Sequence, residues 1–426
     1  MPQSPAGRRA RHAVSRDDQN HGMPTDGATG CPARLDPLAY LADPDAEVRR
    51  LAAAHWWAHG IDHRGTDLPI VLGFEPTRDA LGDRRLSPGS FTDDMASAGL
   101  SAATIAQIAP LFSRHGEDHR TMRLILLSAF TARNVERLRP DARRIAERLA
   151  AAIPTGEAVD FVDAFAAPLP PEVFALLFGL PTEDAGRVAA WATDIALAFA
   201  VQMDPDQVAA VETAAAEMRA YGLERIAASR DGSRDDLVTR LLDATVDGER
   251  LAEDDVVAMI TGFLFAGSET TRRQLTRALE VLADHPADWD RLAADPTLLT
   301  TAVDEILRFA GIVPGLTRRA EEPFARDELR VGPGGRVLLS FVAANRDPDR
   351  FEDADRFVVD RPDAHSHLTF GWGPHLCVGA GLARLELAEA LRALTARFEP
   401  PQIVGAGPST GLHAPDWLRV RFTARA

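Results

Sequence analysis

The run Phe370-Gly371-Trp372-Gly373-Pro374-His375-Leu376-Cys377-Val378-Gly379 constrains this chain more than any other segment. A single cysteine closes a glycine-rich loop and opens a long helical pattern over 380–398. Glycines let the backbone turn tightly and pass close to something flat. A sulfur at a helix N-terminus meets backbone N–H groups and the positive end of the helix dipole, both of which favour a thiolate. A thiolate held there is suited to act as a nucleophile or as a metal ligand.

The only other cysteine, Cys31, lies in a polar stretch rich in Gly and Pro, so no structural disulfide is expected and cysteine usage fits a cytoplasmic protein. Residues 1–33 have no hydrophobic period and read as a disordered N-terminal tail ahead of one domain over 34–426, with Met23 as a second candidate start. The net charge of −16 argues against nucleic acid as a partner. The longest apolar run, 256–267, is too short to span a bilayer. Arg8, Arg9 and Arg11 are not followed by an apolar core of the kind a signal peptide needs.

From Asp36 the chain becomes regular. Asp43-Pro44 reads as an N-cap followed by proline in the first helical turn. Leu68–Leu72 reads as a strand, and 86–101, rich in Ser, Gly and Asp, as a long loop. Helical patterns dominate from 103 to 311, with short strand signals between 325 and 343. Helices and strands are segregated, which predicts a mainly α (α+β) fold: a large helical part and a smaller β-containing part.

The helix predicted over 251–283 would be about 50 Å long at 1.5 Å per residue. Its middle, Ala266-Gly267-Ser268-Glu269-Thr270-Thr271, is poor helix chemistry, and the hydroxyls can open the hydrogen-bond ladder into a kink or groove. An acid beside an alcohol is a candidate proton relay. Glu305 and Arg308, three residues apart, share a helical face. Ala344-Asn345-Arg346-Asp347-Pro348 follows, then Arg356, a candidate third member of that charge network.

In this order, AGxET, ExxR, ANRDP and FGxGxxxCxG followed by Leu382-Ala383-Arg384 resemble the soluble bacterial cytochromes P450, of an actinomycete-like kind. His119 and Arg123, ahead of Ala129-Phe130-Thr131, resemble the HxxxR segment of the same family, and the likeness runs from about 36 to 422. The resemblance implies heme b bound by Cys377 as axial iron ligand, in a loop that includes Phe370, Gly371 and Gly379. His119, Arg123, Arg318 and His375 would meet the heme propionates. Glu305, Arg308 and Arg356 would form a structural network, and Thr270 and Glu269 would deliver protons, with Gly267 leaving room for dioxygen. It also implies a small, largely apolar substrate in secondary metabolism, and electrons from NAD(P)H through a reductase and a ferredoxin. A monomer is expected, and Arg114, Arg120 and Arg133 are candidates for a basic docking face. Segments 88–108, 191–203, 259–270, 311–316 and 409–413 are the expected pocket walls. A peroxide-using or merely binding heme protein, and a colourless cysteine-nucleophile hydrolase, stand as alternatives. His115 with His119, and His365 with His367, are weak metal candidates.

Overall fold

In the computed structural model the described residues are 33–425, apart from 37–38, 40–42, 62–64, 113, 115, 200–202, 231–236, 244, 247–248 and 410–411. Residues 1–32, which hold nearly all of the expected tail together with Cys31 and Met23, lie outside them, as does His115.

The first helix, α1 (Pro44–Ala52), begins as its sequence dictates. The Asp43 side chain accepts from the Ala46 N–H at 2.9 Å, and Pro44 occupies the first turn, where no donor is needed. Strands β1 (Trp57–Ile61) and β2 (Asp67–Val71) form a hairpin. With β3 (Leu86–Ser87), β4 (Gly315–Ala320) and β5 (Arg336–Ser340) they make a five-stranded sheet in the order β1-β2-β5-β4-β3. β5 runs parallel to β2 and antiparallel to β4, and the register sets Val337 opposite Arg318. The sheet's face is packed by Trp57, Val71, Leu86, Val337, Leu339 and Phe351.

The segment expected as a long loop over 86–101 is instead β3 followed by a helix, α2 (Gly89–Ser97). Its polar residues hide any period because they serve tertiary contacts. The Ser90 hydroxyl donates to the Thr317 carbonyl at 2.8 Å, Arg319 pairs with Asp93 at 2.6 Å, and Arg336 pairs with Asp94. Only Met95 supplies a fully buried large apolar anchor.

The helical part contains α3 (Gly116–Ala129), α4 (Arg139–Ala152), α5 (Leu169–Phe178), α6 (Glu253–Ala283), α7 (Leu299–Phe309) and α8 (Ala380–Arg397). One continuous apolar core joins α4, α5, α6, α7 and α8. The helix Ala185–Ile195 tightens into a 3₁₀ turn at Ala196–Phe199. The helix α6 runs without interruption from Glu253 to Ala283. Thr270 bonds back as expected, its hydroxyl donating to the Ala266 carbonyl at 2.6 Å. No described helix is long and apolar enough to cross a membrane.

Candidate functional site

The cysteine loop is built by backbone geometry. Gly371 and Gly373 adopt φ of 74° and 72°, a left-handed conformation costly for other residues. That turn lets the Cys377 N–H donate to the Phe370 carbonyl at 2.9 Å and sets the sulfur just before α8. Burial pushes the Cys377 thiol up. The Gly379 and Ala380 N–H groups and the charges of Arg123 and Arg384 pull it back. The residue as a whole is nonetheless exposed to solvent. Arg384 lies over the Phe370 ring at 4.7 Å and pairs with Asp304 at 2.6 Å, which fixes that ring beside the loop.

Helix α3 meets the loop through two imidazoles, His119 and His375, whose ring centroids are 4.1 Å apart. Arg123, one turn along, is half-buried. Burial lowers its pKa, and the Cys377 charge works the other way, so the guanidinium and the sulfur share one environment. Arg318, on β4, is 2% exposed. Among the described residues its guanidinium donates only to the Thr317 carbonyl, at a long 3.3 Å, and burial brings it down to about 10. A buried guanidinium with one weak neutral acceptor is short of its charge-assisted partner.

Across from the loop, α6 is buried along most of its length, but Phe263, Ala266, Gly267 and Thr270 are more accessible. Their spacing of three and four residues marks one face of the helix. Gly267 is closely packed on one side. A Cβ there would lie 1.9 Å from the Phe174 ring of α5, so the glycine is the notch into which that ring packs. Glu269 is 2% exposed and clamped by two arginines of its own helix, Arg272 at 2.7 Å and Arg273 at 2.6 Å. Arg273 also donates to the Ala414 carbonyl and to Asp416, each at 3.0 Å.

The Glu305–Arg308 pair is bidentate, at 2.7 and 2.8 Å, with both side chains fully buried. The expectation that Arg356 completes this network is corrected by the geometry. Its side chain is 74% exposed and pairs with Asp353, and only its carbonyl takes part, accepting from Arg308 at 3.1 Å. Arg361 fills the role instead, reaching Glu305 at 3.1 Å and the carbonyls of Glu352, Asp353 and Arg356. The Phe357 and Val359 side chains beside it are buried in the core, which carries Arg361 inward.

One acid was missed. Glu386, in the second turn of α8, is 1% exposed, and neither of its oxygens has a hydrogen-bond partner among the described residues. Burial raises its pKa well above the ordinary carboxylate value. Its signal in the sequence is a glutamate flanked by Leu385 and Leu387, with Ala390 one turn on, all of them buried. His367 pairs with Asp304 at 3.5 Å, and no described group of three or more His, Cys, Asp or Glu could hold a metal ion.

These donors fit one kind of ligand. A flat group bearing a metal and two carboxylates would take the Cys377 sulfur on the metal and the cations on its acids; the orphaned Arg318 is the test, and it has the right chemistry. Comparison with known proteins agrees. The cytochrome P450 family pattern matches residues 192–403. Luteothin monooxygenase of Streptomyces thioluteus is 36% identical over 318 residues, covering 74% of this chain and 78% of that protein. Mycinamicin IV hydroxylase/epoxidase of Micromonospora griseorubida is 34% identical over 363 residues, covering 84% and 88%. The crystal structure of CalO2 superposes with a TM-score of 0.83 at 27% identity, over 92% of this chain and 99% of that one.

Proposed function

The chain belongs to the cytochrome P450 family and is a monooxygenase, and from that premise we propose that a ferredoxin feeds it electrons for hydroxylating or epoxidising a largely apolar small molecule. NAD(P)H and a reductase would stand behind the ferredoxin, in a cytoplasmic setting. The observation that carries the reading is the exposed Cys377 at the start of α8, within electrostatic reach of Arg123, together with the under-satisfied Arg318. Cys377 would ligate the iron of heme b, and Arg318, Arg123, His119 and His375 would meet its propionates. Bound there, the heme supplies activation of dioxygen and oxidation of a C–H bond or alkene.

The protein's own residues handle protons. The Thr270 hydroxyl lies on the accessible face of α6 and is oriented by its bond to Ala266. Glu269 can pass a proton to it only after a contact with Arg272 or Arg273 opens, so these arginines would set how readily the relay fires.

For the redox partner, the basic face expected from sequence needs restating. Arg114 pairs with Asp255 and Arg120 with Glu117, while Arg133 is exposed. Beside them Leu124 and Leu127 of α3 and Trp372 and Leu376 of the cysteine loop are exposed. We place ferredoxin docking on this mixed apolar and basic face, with charge steering the encounter. A hydrolase reading is disfavoured, because a thiol pushed up by burial is a poor nucleophile without a metal to hold it ionised.

The test is the reduced carbon monoxide complex of wild type and Cys377→Ser, followed by NADPH-driven turnover with a surrogate reductase and ferredoxin. A strongly red-shifted Soret band in wild type, abolished in the variant, is the expected result. The same spectrum in both would sink the assignment of Cys377.

A further inference from the structure

A cavity of about 80 Å³ lies where α1, the later turns of α6, the end of α7 and the loop carrying His413 meet. The residues lining it include Arg49, Arg277, Arg308, Arg346 and His413, against a single acid, Asp45. The acids that balance three of these arginines stand off the wall. Glu280 pairs with Arg277 at 2.9 Å, Glu305 with Arg308 at 2.7 Å, and the largely exposed Asp355 with Arg346 at 3.2 Å. The Arg49 guanidinium has no ion pair or hydrogen bond among the described residues.

The cations crowd one another. Arg346 comes down to about 10, through burial first and then through the charges of Arg308 and Arg49. Burial lowers His413 as well. The Asp45 carboxylate, 3.6 Å away, opposes that shift and Arg277 adds to it. A negative charge in the cavity would relieve these repulsions together. The volume admits only a small group, and planar guanidinium forks match the edges of tetrahedral oxyanions.

We propose that this cavity binds a small oxyanion of the phosphate or sulfate type, held by Arg49 and Arg346 with His413 as a further donor. The anion stiffens a defined piece of the fold. Arg346 donates to the Phe309 carbonyl at 2.8 Å, and the His413 N–H donates to the Ile312 carbonyl at 2.9 Å. The Gln274 side chain accepts from the Ile312 N–H at 3.2 Å. The site does not depend on the proposed substrate chemistry. Only its influence on the 311–316 and 409–413 segments as pocket walls rests on that reading.

The experiment uses the full chain loaded with heme. Thermal unfolding is followed while sodium phosphate or sodium sulfate is titrated against sodium chloride at matched ionic strength. In wild type the oxyanions should raise Tm saturably beyond chloride, and Arg49→Ala should weaken the apparent affinity about tenfold, the loss of one charge-assisted contact. Hydrogen–deuterium exchange of wild type, which needs no variant, should show phosphate slowing the amides of 309–313 and of His413. An equal response to chloride, an unchanged response in Arg49→Ala, or protection confined to other segments would each overturn the proposal.

Discussion

Arg308 and Arg318 are each 2% exposed, and they could hardly be treated more differently. Arg308 has its guanidinium donors distributed over the Glu305 carboxylate and the carbonyls of Asn345, Ala354 and Arg356. Arg318 has one carbonyl at 3.3 Å. Burial alone therefore does not tell structure from function. A fully satisfied buried cation is architecture, because its partners belong to the chain. An unsatisfied one is an instruction about something the chain is meant to hold.

The comparison breaks first at its satisfied end. Removing one partner of the Glu305 network, as in Glu305→Ala or Arg308→Ala, leaves a bare charge in the core and should cost on the order of 3–5 kcal/mol. Against a total stability of roughly 5–15 kcal/mol that is enough to make the protein largely insoluble or unfolded, which urea denaturation and soluble yield would register. A variant that kept wild-type stability would remove the distinction between the two arginines.

At the other end, Arg318→Met should have opposite signs in two states. The apoprotein loses an unpartnered buried charge and should be as stable as wild type or more so. Heme affinity should fall by about 1.5–3 kcal/mol, the worth of a charge-assisted hydrogen bond. Titration of heme into apoprotein, beside thermal unfolding of the apoprotein, measures both. Destabilisation of the apoprotein with unchanged heme affinity would place Arg318 with Arg308.

Glu386 extends the comparison to an acid. Its folded pKa is raised, so the unfolded chain ionises first, and any stability attached to the neutral acid is fully present below about pH 4.5 and fades as pH rises through the folded value. Glu386→Gln removes that dependence. The stability of the variant relative to wild type should climb by up to about 1.4 kcal/mol per pH unit above pH 4.5, levelling off once the folded acid ionises. Urea midpoints at several pH values would show a flat difference if Glu386 were already an ordinary carboxylate.

The smallest effect is the control. Arg356→Ala should change stability by no more than about 0.5 kcal/mol, since the side chain is exposed and the network uses only its backbone. Arg361→Ala, by contrast, should behave like Arg308→Ala. Parallel urea curves for the pair decide between the two arginines, and equal losses would restore Arg356 to the network.

The motif residues were legible because chemistry confines them to short windows: a cysteine needs its glycine turn and its helix start within ten residues, and an ion pair on one helical turn needs a spacing of three or four. The third arginine of the network was not legible. Arg356 and Arg361 are both preceded by polar residues and differ only in which of them the core carries inward, which depends on Phe357 and Val359 packing against helices far away in sequence. The α2 helix was hidden for the same reason, its stability residing in Thr317, Arg319 and Arg336 rather than in its own period. Glu386 was readable in principle as a charge flanked by leucines, but a glutamate in a long helix looks ordinary until the neighbouring helix is in place.

The notch at Gly267 carries a lesson about variation. With 1.9 Å between a would-be Cβ and the Phe174 ring, the two positions are one unit of inheritance. An alanine or larger at 267 requires the Phe174 ring to shift or shrink, so sequences that drift at one should drift at the other. A mutagenesis library that varies 266–270 to reshape reactivity will lose most of its members at the second position unless it varies 174 as well.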